Sequence, residues 1–190
     1  MVIGGIAKQL AVPGWRVGWI MMYDPQGMLS EGDVSVRQGL RNLSQLILGA
    51  NTLAQSAIPA MFPPAGHNTP VGMALDHYYK CYSASLEANA SFLHKQMEKV
   101  PGVTMNHPHG SFFAMLQLDM SCYKDIIDDV DFSQRLLHEE NAVVLPGSVF
   151  GRKDCVRVAF HPPSHILSQA VDRLNGFCHR HAKDEVGKEV

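Results

Sequence analysis

Residues 17–23, VGWIMMY, form the feature that most constrains the fold of this 190-residue chain. The run is apolar apart from one glycine, and Asp24-Pro25 closes it, which predicts a buried strand. The rest of the N-terminal half predicts helices and loops. A single strand leaves its edge backbone groups unpaired and cannot bury both faces. We therefore expect its partner strands to lie outside this chain or in another chain.

Helices are predicted downstream of this strand. Residues 34–62 predict two helices broken around residues 49–51, and residues 63–70, PPAGHNTP, predict a loop. A long helix follows, because apolar residues recur at steps of three and four along one helical face. Pro101-Gly102 ends this helix. Packing is the common cause of such a stripe, whose members are Leu75, Tyr79, Tyr82, Leu86, Ala90, Leu93, Met97 and Val100.

The second half of the chain alternates between short strands and helices. One helix is predicted behind Asp131, with Gln134 three residues later as in a capping box, and another behind Ser164. This pattern predicts a mixed α+β unit with helices on one side of a sheet. The predicted strands are residues 103–106, 112–118, 142–145 and 155–160. The predicted buried side chains of the helices are Phe132, Leu136 and Leu137, then Ile166, Leu167, Ala170, Val171, Leu174, Phe177 and Cys178.

Composition argues against several classes of partner. A net charge of −2 and a pI near 6.5 do not favour binding to nucleic acid or to an anionic membrane. No apolar run approaches the roughly 18 residues of a membrane span, and the first residues lack the pattern of a signal peptide. The four cysteines form no CxxC pair, and the HPH triplet at residues 107–109 has no ligand partner at metal-binding spacing. We expect free thiols, no metal and a cytoplasmic protein.

Lys8 and Arg16 lie eight residues apart in GGIAKQLAVPGWRVGW, with no acidic residue between them. A lysine amine in an apolar setting loses its proton easily and then attacks aldehydes. An arginine stays charged and offers a planar fork of donors that suits phosphate. An amine for the aldehyde and a guanidinium for the phosphate would suit pyridoxal phosphate. Both residue types are mostly exposed in proteins, so the spacing alone also fits two surface residues.

The whole segment closely resembles the cofactor-lysine segment of the tyrosine aminotransferase family, within the fold-type I pyridoxal-phosphate enzymes. The resemblance continues through LSQLILGANTLAQSA at residues 43–57, HGSFFAMLQLD at residues 109–119 and EENAVVLPGSVFG at residues 139–151. It ends with VRVAF at residues 156–160 and the helix that follows. The match therefore covers nearly the whole chain.

This resemblance implies a fold and a set of site residues. The implied fold is α/β, the C-terminal part of the fold-type I pyridoxal-phosphate-dependent transferase fold. The end of the large domain would span residues 1–70, the small α+β domain residues 71–182 and a charged tail residues 183–190. Lys8 would form the Schiff base with pyridoxal 5'-phosphate and move a proton at the substrate Cα. Arg16 would bind the cofactor phosphate, and Arg157 would bind the α-carboxylate of the substrate.

The implied function is transfer of an amino group from tyrosine or another aromatic amino acid to a 2-oxo acid. In the family the lysine lies past the middle of the catalytic domain, whereas here it is residue 8. We therefore expect the chain to be the C-terminal part of a longer protein, to bind cofactor poorly alone, and to form a homodimer at full length. A mitochondrial location would apply if an upstream targeting segment is missing.

Two other hypotheses about the function of the chain stay open. A carbon–sulfur lyase of the same fold would share the lysine and the arginines, but it would release pyruvate and ammonia. A non-catalytic fragment would act only as a packing or dimerisation module, which the low charge and the predicted lone strand allow. Arg157 by itself also fits a charge at a strand edge that points to water.

Overall fold

The computed structural model describes residues 1–32, 35–62 and 69–183. The chain forms two compact units, Met1–His77 and Tyr78–Val190, and each is described by itself below. The division between residues 70 and 71 that the resemblance implies stays a prediction. Most of the predicted loop at residues 63–70 lies outside the described residues, as does all but the first residue of the predicted tail.

The first unit contains a two-stranded sheet rather than a lone strand. Strand β1 (Val2–Gly5) pairs antiparallel with β2 (Gly18–Met21). The prediction of an unpartnered strand was wrong, because the four residues of β1 end in two glycines and show no apolar alternation that would identify them. The prediction of burial was also wrong for this chain, since every residue of β2 is exposed.

Three helices complete the first unit: α1 (Ile6–Gln9), α2 (Val36–Leu46) and α3 (Thr52–Met61). The Ser35 hydroxyl caps α2 by accepting from the Gln38 N–H, and the Asn51 side chain caps α3. Between them Gly49 adopts a φ of 74°, a left-handed conformation that ends a helix. The predicted break around residues 49–51 is confirmed. Neither α2 nor α3 buries a residue within the described part of the chain.

The long helix α4 (Pro70–Met97) crosses the boundary between the units at His77. Its predicted apolar stripe is confirmed. Ala90, Leu93 and Met97 are buried in the core of the second unit, as is Val100 just beyond the helix. The four members nearer the N-terminus of the helix are half-buried.

The second unit is an antiparallel sheet of order β3-β4-β6-β5 with helices on one face. The strands are β3 (Val103–Met105), β4 (Phe113–Leu118), β5 (Leu145–Pro146) and β6 (Cys155–Ala159). Helix α5 (Asp129–Glu140) precedes β5, and α6 (Ser164–His181) follows β6. Strand β4 alternates strictly between buried and half-buried residues, so one face joins the helices in the core. The predicted α+β unit is confirmed.

Several local predictions in this unit were wrong. The cap of α5 is Asp128, whose carboxylate accepts from two backbone N–H groups, whereas Asp131 accepts from the Ile127 N–H ahead of the helix. Pro163 takes the cap position of α6 without a side-chain hydrogen bond, so Ser164 is already helical. The predicted strand at residues 142–145 begins only at Leu145. Three side chains predicted to be buried are exposed: Leu137, Ile166 and Ala170.

A polar cluster fixes the end of α6 to the rest of the second unit. His181 is only 7% exposed, with Nδ1 at 2.7 Å from an Asp125 oxygen and Nε2 at 3.1 Å from the Glu139 carboxylate. Each ring nitrogen of His181 therefore lies within hydrogen-bonding distance of a carboxylate. The hydrogen bond from His181 lowers the pKa of Asp125. Burial raises the pKa of Glu139, but hydrogen bonds from His181 and Arg180 outweigh burial and lower it.

This cluster predicts loss of stability in acid. A carboxyl whose pKa is lower in the folded state stabilises that state above its ordinary pKa, near 4, and loses this effect as the pH falls through the folded value. We therefore expect the thermal midpoint of unfolding to fall steeply below about pH 4, and Glu139→Gln to flatten this dependence. Glu98→Gln, at an exposed position, is the control. Equal acid slopes in the two variants would contradict the assignment.

Candidate functional site

The loop that carries Lys8 and Arg16 is closed at its base by a pair of glycines. Gly5 and Gly18 are directly opposite in the β1–β2 ladder, and residues 6–17 run between them. A Cβ on Gly5 would lie 3.2 Å from the Val17 carbonyl oxygen, and one on Gly18 would lie 3.2 Å from the Gly4 carbonyl oxygen. The two backbones therefore approach closely where the loop begins and ends.

Lys8 lies in the last turn of α1, three residues after the closing pair. Ile6 is fully buried and Val17 is 8% exposed, so the loop is anchored by an apolar residue near each end. The Lys8 side chain itself is exposed. In this chain the lysine therefore does not lie in the apolar setting that the sequence suggested.

Arg16 adopts a left-handed backbone conformation, with a φ of 56°. It ends the 3₁₀ turn Pro13–Trp15, and its Nη1 donates to the Pro13 carbonyl oxygen at 3.2 Å. This conformation costs a residue with a Cβ about 1–2 kcal/mol, and it persists where the surroundings or the function require it. The exposed guanidinium is consequently held at the point where the loop enters β2.

One glycine beside the loop makes room for an aromatic ring. A Cβ on Gly4 would lie 2.6 Å from the Trp19 indole nitrogen, so the absent side chain makes room for this ring. Trp19 also makes an edge-to-face contact with Phe62, with the ring centroids 6.4 Å apart. Gly14 faces open space. The space beside Gly4 is therefore filled by the Trp19 ring.

The donor set of the loop fits pyridoxal phosphate. Residues 6–17 contain one amine, one guanidinium and no carboxylate. An amine can condense with the aldehyde of the cofactor, and a guanidinium on the same loop can bind its phosphate.

Arg157 belongs to the second unit and lies on β6, in register with Met115 and Leu145. Strand β6 has neighbours on both sides, so the alternative of a strand-edge charge is wrong. The guanidinium carbon lies 4.4 Å from the ring centroid of Phe113 and 4.3 Å from that of Phe150. Within the part of the chain that the structure describes, no carboxylate pairs with it.

The structure thus brings Lys8 and Arg16 onto one loop of the first unit and places Arg157 in the second unit, which is described separately. Sequence reasoning missed Phe113 and Phe150. Period-two alternation along β4 could have placed Phe113 on the face of Arg157 once the strand register was known. The position of Phe150 depends on a turn with no such signal.

The family model described as "Aminotransferase class I and II" matches residues 1–174. The chain belongs to this family. Among curated relatives, tyrosine aminotransferase of Dictyostelium discoideum is 35% identical over 95% of this chain and 42% of its own length. S-alkyl-thiohydroximate lyase SUR1 of Arabidopsis thaliana is 31% identical over 96% of this chain and 37% of its own length. The solved tyrosine aminotransferase of Leishmania infantum superposes with a TM-score of 0.76 at 37% identity, covering 95% of this chain and 41% of that one.

Membership of the family confirms the predicted relationship and the predicted fold class, and it implies pyridoxal phosphate as the cofactor. The chain spans about two fifths of the length of these relatives. The roles of Lys8, Arg16 and Arg157 stay predictions. None of the helices in the described ranges has both the length and the hydrophobicity that crossing a bilayer requires.

Proposed function

We propose that this chain provides the lysine loop and the carboxylate-binding arginine of an aminotransferase that uses pyridoxal phosphate. The enzyme would move an amino group from tyrosine or another aromatic amino acid to a 2-oxo acid. The loop between Gly5 and Gly18 carries the proposal, because it presents an amine and a backbone-constrained guanidinium on one continuous segment. The names of the two tyrosine aminotransferase relatives support the aromatic donor.

Each residue has a defined task in this proposal. Arg16 binds the phosphate through charge-assisted hydrogen bonds. Arg157 binds the α-carboxylate in a bidentate pair and so orients the Cα–H bond of the amino acid. When bound, pyridoxal phosphate withdraws electrons and makes this hydrogen acidic. Lys8 Nζ then accepts the proton from Cα as a base and donates it as an acid in the reverse direction.

A carbon–sulfur lyase is the second candidate, because one relative at 31% identity is named S-alkyl-thiohydroximate lyase. It would use the same lysine and arginines but would break a bond beyond Cα. Assays with tyrosine plus 2-oxoglutarate, and separately with a cysteine conjugate, distinguish the two candidates. Formation of 4-hydroxyphenylpyruvate supports the aminotransferase, whereas release of pyruvate and ammonia supports the lyase.

We also propose a homodimer for the whole protein, which sedimentation would test, and a cytoplasmic location, which cell fractionation would test.

Reductive trapping tests the role of Lys8 in the 190-residue chain. We expect weak binding of pyridoxal phosphate, because the chain spans about two fifths of its relatives. Borohydride nevertheless fixes the cofactor to whichever lysine has condensed with it, and peptide mass spectrometry locates that lysine. We expect labelling of Lys8 to exceed that of exposed Lys80 several-fold and Arg16→Gly to remove the preference. Glycine adopts the left-handed conformation readily, so this variant removes the Arg16 side chain without straining the backbone.

Equal labelling of Lys8 and Lys80 at every cofactor concentration would count against a cofactor site in the loop. A strong cofactor absorbance that vanishes in Lys8→Ala would contradict only the expectation of weak binding. Lys80→Ala controls for the loss of an amine elsewhere in the chain. A chain that forms a discrete soluble oligomer, shows no preference for Lys8 and has no activity would support the non-catalytic reading.

A further inference from the structure

We propose that Phe113 and Phe150 are positioning residues that hold the Arg157 guanidinium ready for a carboxylate. This inference rests on the proposed function, which gives Arg157 the α-carboxylate of the substrate. It adds that the affinity and the geometry of this contact depend on the two aromatic rings. The rings themselves touch the arginine and not the reacting atoms.

The sheet places one ring beside the arginine. Met115 on β4 is directly opposite Arg157 on β6, and Phe113 is two residues before Met115. Because side chains alternate along a strand, Phe113, Met115 and Arg157 lie on the same face. The helices pack on the opposite face, where Leu116 and Val156 are fully buried. Phe113 is therefore the diagonal neighbour of Arg157, within reach of a long side chain.

A constrained turn places the second ring. Leu145 of β5 is opposite Arg157, and the 3₁₀ turn Gly147–Phe150 follows at once. The Ser148 N–H donates to the Asp129 carboxylate at 2.8 Å, and Asp129 is only 2% exposed. A Cβ on Gly147 would lie 2.2 Å from the Cys155 sulfur, so the turn packs tightly against β6. These contacts fix the turn that ends at Phe150 independently of any ligand.

The two aromatic rings change the hydration and the orientation of the Arg157 guanidinium. A guanidinium over an aromatic face is attracted to the ring and gives up water on that side. Its N–H donors lie in the guanidinium plane, so they remain available at the edge for a bidentate carboxylate. Holding the plane in advance also reduces the rotational freedom that binding would otherwise remove. The described residues offer no carboxylate that competes for these donors.

Arginine Nε–H resonances test the inference in the full 190-residue chain. The chain is labelled with ¹⁵N-arginine, the Arg157 signal is assigned by its loss in Arg157→Lys, and pyruvate is titrated. We expect this signal to show ring-current shifts without ligand and to move with pyruvate. We expect Phe150→Leu and Phe113→Leu each to weaken pyruvate binding about three- to thirtyfold, as loss of a partly desolvated cation–π contact predicts. Phe150→Tyr keeps the ring and should bind as the unmodified chain does.

The variants separate this inference from the proposed function. If pyruvate does not move the Arg157 signal, the proposed role of Arg157 is wrong. If pyruvate moves the Arg157 signal and both leucine variants keep full affinity, only the positioning role is wrong. Phe150→Tyr binding as weakly as Phe150→Leu would also overturn it. Phe150 is 48% exposed, so Phe150→Leu should keep the circular dichroism spectrum, which excludes a merely unfolded variant.

Discussion

Replacing Phe177 with alanine is expected to lower the free energy of unfolding of the second unit by about 3–5 kcal/mol. Phe177 on α6 is fully buried. Its ring makes an edge-to-face contact with Phe132 of α5, with the ring centroids 5.1 Å apart. The centroid of the His181 ring lies 4.4 Å from that of Phe177. Truncation would leave a cavity where these elements meet and would loosen the polar cluster at the end of α6. Urea denaturation followed by circular dichroism would measure the loss.

Ile166→Ala is the matched control for this prediction. It removes a large apolar side chain from the same helix, but at a position that is 44% exposed. We expect it to cost less than about 1 kcal/mol, because surface substitutions have small effects. Similar losses in the two variants would mean that α6 does not bury its Phe177 face in the way described.

Replacing Gly147 with alanine is expected to destabilise the second unit by about 1–3 kcal/mol and to disturb Arg157. The new Cβ would meet the Cys155 sulfur at 2.2 Å and the Arg152 carbonyl oxygen at 2.4 Å, so the turn or β6 must shift. Phe150 ends this turn and would move with it. We expect a lower midpoint in urea, together with a smaller ring-current shift of the Arg157 Nε–H signal.

Gly110→Ala controls for the general cost of adding a methyl group to a glycine of the same unit. A Cβ at Gly110 meets no atom within 4 Å, so this variant should match the unmodified chain in both measurements. A Gly147→Ala chain with unchanged stability and an unchanged Arg157 signal would show that the turn does not hold Phe150.

Sequence alone predicted the elements whose signals are local. The stripe from Leu75 to Val100 follows the helical period, and the strand at residues 112–118 is a nearly continuous apolar run. The cap of α5 was misplaced because two aspartates three residues apart, Asp128 and Asp131, can each accept backbone N–H groups. Strand β1 was missed because four residues ending in Gly-Gly carry no periodic signal.

The residues of the candidate site also differ in whether the sequence could predict them. Lys8 and Arg16 could be named because their chemistry and their motif lie within one continuous segment. The aromatic contacts of Arg157 could not be predicted. They depend on the register between β4 and β6 and on a turn that Asp129 and the close packing of Gly147 fix, and neither has a signal in the sequence around Arg157. Local periodicity gives the face on which a side chain lies, but its cross-strand neighbour also depends on the strand register.

The position of Trp19 against Gly4 has a practical consequence for spectroscopy. The chain has two tryptophans, Trp15 and Trp19, and both lie at or beside the loop that carries Lys8 and Arg16. The second unit has none, so indole emission excited near 295 nm reports on the first unit alone. Energy transfer from these indoles to a bound pyridine chromophore would therefore quench fluorescence when the loop is occupied, without interference from the helices and sheet around Arg157.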